Sequence, residues 1–304
     1  MPDLSVIIPT FNTASMTLRC CRAVLASMPD GTEVIVADDG SSDGTAELLA
    51  TEVPVVRVVG LESNRGFATA ANRGAEAASG RIILLLNSDA IVSEGALRSV
   101  VAAFDADPTL GVAGARLSNE NGTPQWSGGR APTLPWMIGV VSGTGRFARF
   151  FRRSARIQSE VDWVSGAAMA VRCEVWAAAG PLDERFRFYC QDIDICLRAR
   201  QAGWRVRIVE EARVVHGLGG TVARDGLQHD PARLWPDLLD WGTAHYGRRW
   251  GAVARWVLVG VALMRVACRA LYRRDETTLA LVRGAKSLWS SRARPAQTRV
   301  SVPH

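Results

Sequence analysis

Along the first third of the chain, apolar and polar positions come in blocks. Short apolar runs rich in Val, Ile and Leu are "LSVIIPT" (4–10), "EVIVADD" (33–39), "VVRVVG" (55–60) and "RIILLLN" (81–87). These predict strands. Helices are expected over Thr13–Ser27, Thr45–Ala50, Phe67–Ala78 and Glu94–Ala106, the third ended by Gly80 and the last stopped before Pro108. Continuously apolar strands, each followed by a helix, imply a parallel sheet covered on both faces. From Leu117 to Glu160 the pattern weakens under Gly, Pro and Trp, and the basic, aromatic "RFARFFRRSAR" falls inside it. A long loop or flexible lid is expected there. Regularity returns in "VDWVSGAAMAVRCEVW" (161–176), a helix near Ile193–Ala202 and "RVRIVEEARVVH" (205–216). After Gly220 the chain reads as helical until a polar stretch beyond Ser290, and no internal repeat is visible.

Composition narrows the class. With 304 residues, 48% hydrophobic and 22% charged, the chain suits a globular protein with one sizeable core and a smaller appendage. Six cysteines show no C-x-x-C spacing, which suits a reducing cytosol, and "MPDLSVIIPT" does not read as a signal peptide. The net charge of +6 is uneven: the stretch from Ala244 to His304 carries +10 and the rest −4. No nucleic-acid motif set is present, and the basic tail is also apolar, which favours a membrane surface. "WVLVGVALM" offers nine apolar residues before Arg265, short of the ~20 a span needs. Arg255, Arg265, Arg269, Arg273 and Arg274 bracket or interrupt that run. It reads either as a helix lying on a membrane or as one packed on the preceding domain with its arginines in solvent.

The carboxyl ends of the predicted strands are polar: "PTFN", "ADDGSSDGT", "ESNRGFATAANRG" and "NSD". In a doubly wound sheet, ligands sit outside these ends. Neither G-x-G-x-x-G nor a P-loop occurs, so a dinucleotide fold and a P-loop ATPase are disfavoured. Individually, Asp38, Asp39 and Asp43 also suit turns and caps, Asn64 and Gly66 a turn, and Asn87 and Asp89 a helix entry. Four successive polar ends on one edge point instead to one site.

The ordered set "VIIPTFN", "VIVADDGSSDGT", "NRGFATAANRG", "LLLNSDA", "WVSGAAMAVR", "FRFYCQDIDICLRARQAGW" and "ARVVHGLGGT" resembles family 2 glycosyltransferases of the GT-A fold. Within them it is most similar to bacterial rhamnosyltransferase-like enzymes that extend lipid-linked glycans. The resemblance implies an α/β fold, with a doubly wound, mostly parallel sheet flanked by helices, as a catalytic domain over 1–222. A helical, basic and amphipathic extension that associates with membrane follows over 223–304. It implies Asp89 as a metal ligand, with His216 completing coordination of Mg²⁺ or Mn²⁺, hard cations suited to oxygen and imidazole. Asn87 stands where the family keeps the first Asp of Asp-x-Asp, and it is expected on the sugar or ribose with Ser88. Asp38 matches the acceptor for a pyrimidine N3–H, and Pro9 and Thr10 flank the base. Asn12, Asp39, Asn64, Arg65 and Gly66 complete the nucleotide-sugar site, although Arg65 also suits a surface ion pair. Asp192 matches the catalytic base of an inverting displacement. Trp163, Gly166, Gln191 and Asp194 are expected near the acceptor, with Gln191 replacing the family's Glu. Asp192 and Asp194 would equally suit a helix N-terminus.

The resemblance thus implies transfer of L-rhamnose from dTDP-L-rhamnose to a polyprenyl-diphosphate-linked or cell-envelope acceptor. The enzyme would sit peripherally on the cytoplasmic face of the cell membrane. The same fold with a UDP- or GDP-sugar (galactofuranosyl, glucosyl or mannosyl transfer), or a non-catalytic subunit of a glycan-assembly complex, are the alternatives.

Overall fold

The structure is a computed structural model that describes residues 2–143, 160–186, 188–217, 230–272 and 276–291. The basic "RFARFFRRSAR" segment, Leu218–Thr221, Arg273 and Arg274 lie outside them. The chain divides into two compact units. The first comprises the described residues of Met1–Ala131, Arg149–Arg187 and Gln191–Arg224; the second comprises those of Pro132–Ala148, Phe188–Cys190 and Asp225–His304.

In the first unit the predicted blocks become β1 (Leu4–Thr10), α1 (Ala14–Ser27), β2 (Thr32–Asp38), α2 (Thr45–Glu52), β3 (Arg57–Gly60), α3 (Phe67–Glu76) and β4 (Ile82–Leu86). Then follow β5 (Ala90–Val92), α4 (Ala96–Ala106), β6 (Leu110–Ser118), β7 (Gly128–Gly129), β8 (Trp163–Val164), β9 (Ala168–Arg172), α6 (Cys173–Ala179), α7 (Gln191–Gln201) and β10 (Arg205–His216). Eight strands form one mixed sheet in the order β3-β2-β1-β4-β9-β6-β10-β5. Strands β1 to β4 are mutually parallel where they pair, β9 runs antiparallel to both β4 and β6, and β5 runs antiparallel to β10. Leu4, Ile7, Ile8, Ile35, Ile82, Leu85 and Leu86 are fully buried, because both faces of the sheet are covered. Each such side chain contributes about 1.5–3 kcal/mol by leaving water.

Strand β6 was not foreseen, since "LGVAGARLS" carries small residues where a buried strand usually carries branched ones. The sheet needs them small. A Cβ on Gly114 would come within 2.5 Å of the Val164 Cβ, and one on Gly111 within 2.5 Å of the Trp204 Cβ. Close approach of neighbouring side chains, not propensity, keeps this strand in place.

The topology gathers the polar ends. Because β9 is antiparallel to β4, Ala168 pairs with Leu86, and the "WVSGA" segment arrives at the carboxyl end of β4. Because β5 is antiparallel to β10, Ala90 pairs with His216, and the end of β10 lies beside "NSD".

The second unit holds α5 (Leu134–Ser142), α8 (Pro231–Tyr246), α9 (Arg248–Tyr272) and α10 (Glu276–Ser290). Helix α5 lies where a loop was expected; Thr133 caps it by accepting from the Trp136 N–H at 3.4 Å, with Pro135 in its first turn. Trp235 and Trp241 of α8 are fully buried, and α10 approaches α8 closely through Gly284, whose Cβ would meet Pro231 and Trp235 at 2.7–2.8 Å. Arg248–Leu271, 24 residues, is long and apolar enough to cross a membrane by length and composition. That revises the expectation from the nine-residue run: alanines and glycines on both sides of it extend the apolar stretch.

Candidate functional site

Three loops after β1, β2 and β3 interlock. Asn12, at φ 52°, donates its backbone N–H to Ser41 Oγ (2.9 Å) and accepts the Ser42 N–H on Oδ1 (2.8 Å). Asp43 accepts the N–H of Ala14, the first residue of α1, at 2.9 Å, and the Thr45 hydroxyl at 2.5 Å. Thr10 turns its hydroxyl inward to Thr13 and Thr17 (2.8 and 2.7 Å), and its carbonyl accepts the Asp39 N–H (2.9 Å).

The two carboxylates of "ADDGS" differ in use. Asp38 is buried and accepts from the Ser41 N–H (3.1 Å) and hydroxyl (2.5 Å). Asp39 is buried too, and its two oxygens accept the backbone N–H groups of Arg65 and Gly66, each at 2.8 Å. Burial raises the Asp39 pKa against these hydrogen bonds. Expected on the nucleotide, the Asp39 carboxylate instead holds the Asn64–Gly66 loop. Gly66 opens α3 at φ 100°, and Gly40, at φ 76°, has the Ser63 backbone 2.8 Å from where a Cβ would stand. Asn64 and Arg65 are exposed, and Arg65 makes no ion pair within 4.0 Å among the described residues.

The "NSD" turn meets the end of β10. Asn87 donates its backbone N–H to Ala167 (3.0 Å), and Ser88 Oγ lies 3.2 Å from Thr13 Oγ1. His216 Nε2 lies 3.2 Å from Asp89 Oδ1 and 3.1 Å from Asn87 Nδ2. Asn87, expected on the sugar, thus joins the Asp89–His216 pair. His216 Nδ1 lies 2.9 Å from Gln125 Oε1, a neighbour that no periodicity or motif in the sequence singles out. Among the described residues no three His, Cys, Asp or Glu side chains converge as a closed metal site. Asp89 and His216 still fit a divalent cation as a pair: a carboxylate oxygen and an imidazole nitrogen face each other at 3.2 Å.

At the same edge Asp192, in the first turn of α7, accepts the Gly166 N–H on Oδ2 (2.9 Å) and the Ile193 N–H on Oδ1 (2.8 Å). Burial pushes its pKa up despite these bonds. A Cβ on Gly166 would stand 3.6 Å from Asp192 Oδ2. Gln191 is buried at the start of α7, and Cys190 before it holds φ 71°. Trp163 is buried, with its indole N–H donated to Arg130 O (2.9 Å) and its ring edge-on to Trp126 at 5.1 Å. Asp194 was expected near the acceptor. Its carboxylate is buried against Arg198 (2.7 Å), whose guanidinium also donates to the carbonyls of Ala179, Gly180 and Pro181.

The polar edge of the mixed sheet thus gathers the carboxylates of Asp38, Asp39, Asp89 and Asp192 and the imidazole of His216. Residues 5–176, more than half the chain, match the family model of glycosyl transferase family 2, and the chain belongs to that family. It is similar, at 27% identity over 285 residues (86% of this chain, 92% of the relative), to the N-acetylglucosaminyl-diphospho-decaprenol L-rhamnosyltransferase of Mycobacterium tuberculosis. A mannosyltransferase of Pyrobaculum calidifontis, solved with GDP-Man and Mn²⁺, shares the fold at TM-score 0.63 and 18% identity, covering 96% of this chain and 88% of its own. S. aureus TarS 1–349 does so at TM-score 0.57 and 16% identity, covering 96% and 81%.

Proposed function

We propose that the chain is an inverting, metal-dependent glycosyltransferase that moves L-rhamnose from dTDP-L-rhamnose to a polyprenyl-diphosphate-linked or cell-envelope glycan. The observation that carries the transferase chemistry is Asp192: a half-buried carboxylate with raised pKa, fixed by two backbone N–H groups at the edge where β1, β2 and β4 end. A carboxylate so held accepts the acceptor hydroxyl's proton as that oxygen attacks the anomeric carbon. One base opposite a departing diphosphate makes the displacement in-line, with inversion. Asp38 receives the pyrimidine N3–H, and Asp39 holds the loop of Asn64, Arg65 and Gly66 against the nucleotide and diphosphate. Asp89 and His216 would hold Mg²⁺ or Mn²⁺, which when bound would neutralise charge on the leaving group. Gly166 leaves room for the acceptor beside Asp192. The rhamnosyl donor and lipid-linked acceptor rest on the likeness to the mycobacterial rhamnosyltransferase.

The second unit docks on the cytoplasmic membrane face. On α9 the exposed large apolar side chains are Val253, Trp256, Leu263, Met264 and Leu271, with Arg248 and Arg249 exposed at its start. At 100° per residue the apolar five fall within about 100° of one another. Arg255 and Arg265 lie off this stripe: Arg265 donates to Val141 O (2.8 Å) at the end of α5, and Arg255 to the carbonyls of Leu288 and Trp289 (3.2 Å each) at the end of α10. Trp289 of α10 stands edge-on to Trp256 at 5.1 Å, and Lys286 and Arg283 are exposed on the same helix. Such an apolar face with flanking cations suits an anionic lipid surface.

The test is a calorimetric panel of dTDP, UDP and GDP, each with Mn²⁺ and with chelator. Metal-dependent binding of dTDP supports the rhamnosyl reading; preference for UDP or GDP redirects the donor, and no nucleotide binding would overturn the transferase reading.

A further inference from the structure

We propose that Gln125 is a positioning residue that fixes the ring of His216 in its Nδ1–H form, leaving the Nε2 lone pair beside Asp89 free of a proton for a divalent cation. The inference rests on the reading of Asp89 and His216 as the metal pair and adds to it the group that prepares one of them. The argument starts at Asn119. Its Nδ2 donates to Thr123 Oγ1 (2.7 Å) and Thr123 O (3.3 Å), so its Oδ1 is the atom that faces Gln125. Gln125 Nε2 donates to that Oδ1 (2.7 Å) and to the backbone oxygen of His216 (2.6 Å). Both partners are acceptors only, which fixes which end of the Gln125 amide is nitrogen. The remaining atom, Oε1, lies 2.9 Å from His216 Nδ1. A carbonyl oxygen cannot donate, so Nδ1 carries the proton.

The consequence falls on the other ring nitrogen. In the neutral ring Nε2 is then an acceptor, placed 3.2 Å from a carboxylate oxygen of Asp89 and 3.1 Å from Asn87 Nδ2. In the metal-free site the Asn87 side-chain N–H serves that lone pair, and a cation between Nε2 and Asp89 Oδ1 would take its place. The same amide also grips the His216 backbone, so one side chain sets both the position of the residue and the tautomer of its ring. Gln125 is itself held, its N–H donated to Leu117 O (2.9 Å) in the turn that Asn119 and Thr123 close. An outer partner of this kind is worth roughly 10–100-fold in metal affinity where measured.

The experiment uses the full chain. Histidine labelled with ¹⁵N in the metal-free protein at mildly alkaline pH reports which ring nitrogen carries the proton, with His216→Ala identifying the signal. His216 is expected as Nδ1–H in the wild type and as a mixture in Gln125→Leu; a wild-type ring protonated at Nε2 overturns the proposal with no variant needed. Binding of Mn²⁺ alone is followed in parallel by loss of its free paramagnetic signal. Gln125→Leu, or the near-isosteric Gln125→Met if the former does not fold, is expected to weaken it about 10–100-fold. Wild-type affinity in these variants, with binding lost in His216→Ala, overturns the role of Gln125 alone. Failure of the wild type to bind Mn²⁺, or unchanged binding in His216→Ala, overturns the metal pair beneath it.

Discussion

Asp192, proposed as the base, is also half-buried, and the two together set its expected behaviour. Burial raises its pKa above the ordinary 3.8, so the free enzyme takes up this proton at a higher pH than an exposed aspartate would. The base works only when ionised. The acid limb of kcat/KM is therefore expected above pH 3.8, and it should vanish with the activity in Asp192→Asn, which loses at least about 100-fold while retaining nucleotide binding by calorimetry. Near-normal turnover in that variant would refute the assignment. Asp194, two positions on, serves the fold. Its buried pairing with Arg198 predicts that Asp194→Asn destabilises the protein by roughly 3–5 kcal/mol in denaturant titration, because Arg198 loses its partner. The KM for acceptor should hold in the folded fraction. A raised KM with stability intact would return Asp194 to the acceptor. The sequence shows both residues as acids at a helix start; only the direction of each side chain separates them, and that is set by tertiary partners.

At the scale of elements, one acid ties two loops. Asp39 in the loop after β2 holds the backbone of Arg65 and Gly66, which opens α3. Asn72 of α3 is buried and makes a two-way contact with Leu182, donating to its oxygen and accepting from its N–H, both at 2.9 Å. Replacing Asp39 with Ala leaves two backbone donors unsatisfied. It is expected to cost about 1–3 kcal/mol of stability and to weaken nucleotide binding, read by thermal melts with and without nucleotide. The strand–helix blocks up to α4 were legible because continuous apolar runs and helical spacing are local signals. Strand β6 was not, because its small residues answer to Val164 and Trp204, which lie far along the chain. Helix α5 was hidden among Gly, Pro and Trp although Thr133 and Pro135 are ordinary start signals. The polar ends of β1, β2 and β4 could be read as one edge, whereas Gln125 could not, since its meaning comes from a contact 91 residues away.

For the whole molecule, the chain combines an eight-stranded transferase unit with a helical unit whose apolar stripe faces outward. The sequence showed a tail both basic and apolar, read as a helix on a membrane or one packed with its arginines in solvent. In the structure Arg255 and Arg265 serve as caps for helix ends, and Val253, Trp256, Leu263 and Met264 take the exposed positions. Replacing Trp256, Leu263 and Met264 together with Ser is expected to cut co-sedimentation with anionic vesicles at least about tenfold, by removing apolar area from the lipid contact. Transfer to a water-soluble acceptor should be unchanged. Equal vesicle binding by this variant would remove the stripe from the account.

The central claim is inverting transfer of rhamnose by Asp192. The direct measurement is the anomeric configuration of the glycan formed from dTDP-L-rhamnose and a polyprenyl-diphosphate-linked N-acetylglucosamine acceptor, read by NMR on the isolated product, with Asp192→Asn alongside. The account predicts a rhamnosyl linkage of opposite configuration to the donor, formed by the wild type and absent with the variant. A product of retained configuration, or equal product from Asp192→Asn, would contradict it.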